Sequence, residues 1–302
     1  MSGFNFLRES EIHIVYGSNR YNVKVTPQLS FTQTFAEDAY SVKTLHDQTK
    51  MFRGTSITKA NPADFSFETH LTTEKDEQIV LELLTDLVTT SGNQQLKSFD
   101  LFVVSTNGTF KITGCVMTQG EFSLQRNEPL KLRVSGQGQK LERVGNESFS
   151  LPGSLQSASA TRTPTKPLLD VLVSDSAVSN LVAATLQVQN NIQWTPYETL
   201  QNSLSVTNAT NAMYPSEYSL TDRNVSGNIT QFHSDANASE YQTFNTSTSV
   251  KIRTKVNGSI FFNANLADCM YTKRSTASEV FTQTYDFRLV GTPNDLGNQI
   301  TY

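Results

Sequence analysis

The stretch Phe99-Asp-Leu-Phe-Val-Val-Ser-Thr-Asn107-Gly108-Thr-Phe110-Lys-Ile112-Thr-Gly-Cys115 decides how the rest of the chain is read. Its two apolar runs flank Asn107-Gly108, a pair that favours a tight turn between antiparallel strands. The same features return later in the chain. Asn107-Gly108-Thr109-Phe110 matches Asn257-Gly258-Ser259-Ile260, and Ile112-x-x-Cys115 matches Leu266-x-x-Cys269. Leu132-Arg133-Val134-x-Gly136 matches Phe287-Arg288-Leu289-x-Gly291. Upstream, Leu29-x-Phe31 pairs with Ile192-x-Trp194, and Ile57-Thr58 with Leu220-Thr221. The matches keep their order, and their spacings differ only by what loops can absorb. They predict a tandem duplication.

Working outward, Ile12, Ile14 and Tyr16 alternate, Gly17-Ser18-Asn19 turns the chain, and Tyr21, Val23 and Val25 alternate back, which predicts a hairpin. Residues 37–61 are too polar for a core and too long for a tight turn, so an extended loop or projecting hairpin is expected. Phe65 and Phe67 resume a strand. Ile79, Val80, Leu83, Leu84 and Leu87 recur at helical spacing behind Glu74, Asp76 and Glu77, predicting one helix over Glu74–Leu87 that buries its stripe against a sheet. Its counterpart is expected, shortened, near Ser239–Phe244. Residues 141–167 are rich in Ser, Thr, Gly and Pro and lack periodicity, which reads as a linker or surface loop. The organisation expected is therefore a domain over 1–145, a connection over 146–164 and a second domain over 165–302.

The formal charge of −4 on 302 residues argues against a protein that grips phosphates, which needs a basic patch. No apolar run is long enough to cross a bilayer, and the first residues lack the order of a signal peptide. Cys115 and Cys269 are too few for a disulfide scaffold and fall at matching strand positions, as buried small hydrophobes would. The many Asn-x-Ser/Thr triplets follow from a composition crowded with those residues. His13, His46, His70 and His233 have no metal-ligand spacing, and neither a phosphate loop nor a nucleophile elbow occurs. No enzyme and no cofactor is expected.

Each half reads as hairpin strands, a long polar loop, one helix and a meander of strands. In that order the chain resembles the tail tube proteins of long-tailed bacteriophages. The resemblance rests on Val23–Phe31, Glu37–Ala60, Phe65–Thr69, Glu74–Leu87 and the strands through Val134, then on Leu186–Trp194, Tyr197–Asn224, the segment around Glu240 and Thr248–Val290. It implies an all-β fold with minor helix: two tandem tail-tube-like β-sandwich domains, each flanked by one helix. It further implies homotrimeric, pseudo-hexameric rings stacked into a tube in the virion tail, assembled in the host cytoplasm with other tail proteins and a tape-measure protein. DNA would pass through without specific binding, and no membrane is involved. A tube-initiating or distal tail protein is the nearest alternative; an adhesive or carbohydrate-binding β-sandwich is the alternative of another class. On this reading Asp47, Lys50, Arg53 and Lys59 in one long loop, and Asp222 and Arg223 in the other, are candidate contacts between rings. Asp64, Ser66 and Glu68, which alternate with Phe65 and Phe67, and Gln189, Asn191 and Gln193 are candidates to line the channel.

Overall fold

Alternating apolar residues form the first hairpin as expected: β1 (Glu11–Tyr16) and β2 (Asn19–Val23) pair across Gly17, whose φ of 60° suits glycine. The structure, a computed structural model, describes residues 7–40, 54–90, 92–125, 128–146, 148–156, 159, 161–164, 166–194, 214–234, 247–291 and 293–302. The first half continues through β3 (Val25–Thr32), β4 (Phe35–Tyr40), β5 (Gly54–Ala60), β6 (Ala63–His70), α1 (Gln78–Thr85), β7 (Leu87–Thr90), β8 (Asn93–Leu96), β9 (Phe99–Ser105), β10 (Gly108–Gln125), β11 (Lys131–Gly138) and β12 (Lys140–Gly145). After β13 (Ser154–Leu155) the second half runs β14 (Leu168–Val173), β15 (Ser176–Ala177), β16 (Leu181–Trp194), β17 (Tyr218–Phe232), β18 (Thr248–Val256), β19 (Ser259–Thr276), β20 (Thr282–Leu289), α2 (Leu296–Gln299) and β21 (Ile300–Thr301). The fold is all-β with minor helix.

Two strands of 18 residues organise the sheets. The first part of β10 pairs with β9 and β12, and its last part with β11 and β16. The first part of β19 pairs with β18 and β21, and its last part with β20. One layer of the first half is therefore β2-β1-β9-β10-β12, and the other is β3-β6-β11-β10. The second half orders its strands β15-β14-β18-β19 and β16-β17-β20-β19. Followed pair by pair, the path branches at β10 and β19, and no pairing among the described residues leads back to close it.

The layers face each other across apolar side chains. Phe65 on β6 meets Phe99 on β9 edge-on at 6.0 Å, with Ile14, Leu101 and Val134 buried around them. Phe122 on β10 and Phe262 on β19 lie 4.9 Å apart, so the core runs from one half into the other. Glycine opposite phenylalanine recurs in both halves. A Cβ on Gly136 would lie 2.4 Å from the Phe65 ring, and one on Gly227 2.6 Å from the Phe287 ring.

Several expectations are corrected. The helix spans Gln78–Thr85 rather than Glu74–Leu87. Lys75 sits at φ 62° in a turn, and Asp86 is extended, so the chain enters and leaves the helix abruptly. Glu77 spends its carboxylate on Thr72 Oγ1 at 2.9 Å instead of on the helix start. The first hairpin turn is centred on Thr106 and Asn107, one residue earlier than Asn107-Gly108, because Ser105 pairs with Gly108. The segment expected as a linker is fastened along the first half: β13 pairs in parallel with β2, Arg20 Nη1 donates to Leu151 O at 2.7 Å, and Thr72 bridges Pro164. Its polar residues lack periodicity because many of them bond to distant parts of the chain, as Ser159 and Arg162 do to Asp76. The expected second helix near Ser239–Phe244 lies outside the described residues. Among the described residues, no helix is long and apolar enough to cross a membrane.

Candidate functional site

The candidate surface is built from strand parity. In β6, Phe65 and Phe67 turn inward, so Asp64, Ser66 and Glu68 stand on the opposite face. Register carries that face across eight strands, β3-β6-β11-β10-β16-β17-β20-β19. One row reads Glu68, Arg133, Glu121, Gln187, Ser226, Arg288, Met270. Another joins Ser30, Ser66, Ser135, Gln119, Gln189 and Asn224. The two residue sets expected on a channel wall thus share one face: Gln189 lies opposite Gln119, Asn191 lies opposite Asp222, and Gln189 Nε2 donates to Asn191 Oδ1 at 3.1 Å. A bulge between Asn191 and Ile192 interrupts the alternation, so Gln193, opposite Ser219, stands outside these rows.

Charge on this face is mixed. The carboxylates Asp64, Glu68, Glu121, Asp222 and Asp286 are set among Lys131, Arg133, Arg274 and Arg288, each sign beside the other. Glu68 and Glu121 flank Arg133 in register, and Arg274 holds Asp286 through Nε at 2.5 Å and Nη2 at 3.0 Å. The Asp286 carboxylate pushes the Arg274 guanidinium above its ordinary pKa. The arginines were not singled out from the sequence, although Leu132-Arg133-Val134 and Phe287-Arg288-Leu289 carry the signal of a charge between two buried neighbours.

The edges of this face are unequal to its interior. Inside the chain, Gln119–Gln125 of β10 pairs antiparallel with Gln189–Ala183 of β16, which welds the four strands of one half to the four of the other. At the outer ends, β3 pairs only with β6, and residues 270–276 of β19 pair only with β20. Among the described residues these two strands end the row of paired strands.

Of the residues expected between rings, Asp47, Lys50 and Arg53 lie outside the described residues, as does the side chain of Lys59, whose backbone pairs with Ala36 in the β4–β5 hairpin. Asp222 is exposed on the polar face of β17. Arg223 is corrected outright: it lies in β17, not in a loop, and is 7 % exposed. Its Nη2 donates to Leu84 O at 2.8 Å, its Nε to Asn190 Oδ1 at 2.8 Å and its Nη1 to Pro293 O at 3.4 Å. Asn190 Nδ2 adds bonds to Leu84 O and Met117 O. A guanidinium at the last carbonyls of α1 complements the helix dipole. Burial pulls its pKa down to about 10, partly offset by Asp86, so it stays charged at neutral pH.

The start of α1 is gripped as well. Arg162 Nε donates to Asp76 Oδ2 at 2.8 Å, and Thr72 N–H donates to the Tyr302 hydroxyl at 2.6 Å. Burial pushes the Glu77 carboxyl up, against the hydrogen bond from Thr72 and the charge of Arg162. Nothing here resembles a reacting centre; no His, Cys, Asp and Glu cluster suited to a metal occurs among the described residues.

A family model described as the Bacteriophage Baseplate Tube Protein Family matches residues 2–301. No curated protein matches the sequence.

Proposed function

The chain belongs to the bacteriophage baseplate tube protein family, and from that membership we propose that three copies close into a ring of six similar sheets around a conduit for DNA. Its role is structural, in the tail or baseplate tube of the virion, where it assembles with other tail proteins. The observation that carries the ring is the β10–β16 junction. It joins one half's sheet to the next, and β19 and β3 hold the corresponding places at the two outer ends of the described sheet, which supports joining them between copies. Repeating the junction between copies is a head-to-tail contact, and three repeats close with no open edge. The matching strand orders and sequence matches support reading residues 1–145 and 165–302 as a duplicated unit.

The polar face then lines the channel. Its cations stand beside carboxylates, which lowers the gain from releasing counterions of DNA and leaves the duplex free to slide. The role is non-catalytic and uses no cofactor. The word baseplate in the family description favours a short segment at the baseplate, a tube initiator, over the long tail tube. The β4–β5 hairpin follows β3 at the end of the sheet where β16 ends and β17 begins, which supports assigning that end to contact with an adjacent ring. Negative-stain images and solution mass of the purified chain test this: rings with the mass of three chains and a central hole are expected, and a monomer at all concentrations refutes it.

A further inference from the structure

The β19–β20 turn carries two large apolar side chains in the open: Val280 is 54 % and Phe281 58 % exposed. The turn is nevertheless ordered by bonds of its own, since Ser278 Oγ donates to Val280 O and His233 N–H to Phe281 O. The corresponding β10–β11 turn, Gln125-Arg126-Asn127-Glu128-Pro129, has no such pair.

At the start of β3 there is a cavity of about 470 Å³ lined by Val25, Pro27 and Pro164 together with Lys24, His70 and Arg162. Two buried polar atoms in its lining residues make no hydrogen bond. One is Arg162 Nη1, on a side chain only 8 % exposed and 4.0 Å from Glu77 Oε1, and the other is His70 Nδ1. Buried donors and acceptors normally find partners, so such a wall suits an occupant with both backbone and apolar groups.

Direction links the two features. Within the chain, Gln125 at the end of β10 lies opposite Ala183 near the start of β16. A copy whose β19 joins the next copy's β3 in the same antiparallel sense brings its β19–β20 turn to the start of that β3, where the cavity lies. We propose that the Val280-Phe281 turn of one copy seats in the cavity beside β3 of the next copy. This rests on the ring reading above. The aromatic ring covers Pro27 and Pro164, a turn carbonyl accepts from Arg162, and a turn N–H donates to His70. The junction within a chain is held by a covalent connection. The junction between chains has none, and this anchor supplies the apolar burial it needs.

The test compares the full-length chain with a Val280→Ser, Phe281→Ser variant and a Pro27→Cys, Val280→Cys variant. Rings imaged for the unaltered chain establish the reading on which the inference rests; their absence removes both. With rings present, the serine variant should need about tenfold or more protein for half-assembly while melting as the unaltered chain does. Rings at the original concentration overturn the inference and leave the ring reading standing. Should the serine variant fold poorly, the cysteine pair decides: under mild oxidation it should give disulfide-linked chains on a non-reducing gel, and rings without that link overturn the inference.

Discussion

Thr106 and Asn107 close the β9–β10 hairpin without a positive φ, whereas Asn257 and Gly258 close the β18–β19 hairpin at φ 51° and 82°. The two turns share a sequence, occupy the same place in the strand order, and differ by one residue in register. Ser105 and Gly108 face each other in the first, Val256 and Ser259 in the second. A second difference is larger. In the first half the interior face of β10 receives α1, with Leu84 so close to Gly120 that a Cβ there would lie 2.2 Å from it. The second half contributes Arg223 and Asn190 to that same helix. Topology is thus shared more strictly than side-chain duty.

The largest break in the comparison is expected at the helix. Leu84→Ala should lower stability by about 2–5 kcal/mol, read by chemical denaturation, because a fully buried leucine leaves a cavity over Gly120. A cost below about 0.5 kcal/mol, as at surface sites, would contradict that packing. Next comes Arg223→Leu, which leaves Asn190 Oδ1 and the carbonyls of α1 short of donors. It should cost about 1–3 kcal/mol and split a single thermal transition into two as the halves come apart. A single unshifted transition would mean the halves do not depend on this contact.

The turns offer a finer test. Gly258→Ala must hold a Cβ at φ 82° and should cost about 1–2 kcal/mol. Gly108→Ala needs no positive φ and meets only side chains, Arg143 Nε at 3.2 Å and the Phe110 ring at 3.6 Å, so it should stay within about 0.5 kcal/mol. Equal costs would show that the two hairpins are the same turn after all.

The smallest effect expected is acid sensitivity of the first half. Burial lowers the pKa of His13 against the opposing pull of Glu11, with Arg20 and Lys24 pushing the same way as burial. The folded state therefore resists protonation: the contribution is present above 6.5 and is lost as pH falls through the depressed folded value. The melting temperature should drop as pH falls below 6.5, and drop less in His13→Gln. An identical pH dependence in that variant would assign the effect elsewhere.

Local periodicity made much of this legible. Ile12, Ile14, Phe65, Phe67, Leu83 and Leu84 are buried where their spacing put them. Asp64, Ser66 and Glu68 were readable as one face because phenylalanines separate them. Arg223 was not, since a polar residue in a polar stretch gives no sign that a helix end, 139 residues earlier, will bury it. Ser159 and Arg162 escaped for the same reason, as their partner Asp76 lies more than 80 residues away. Long-range hydrogen bonds leave no period in a sequence.

The helix held at both ends has a consequence for the order in which a polypeptide matures. The turn leading into it is held by Tyr302, 230 residues beyond Thr72, and its last carbonyls by Arg223. During synthesis α1 emerges long before either, so the nascent first half waits with bare carbonyls and an uncovered Glu77. Contacts this distant in sequence form late and slowly. An incomplete polypeptide therefore lacks the contacts that hold the helix and the turn leading into it.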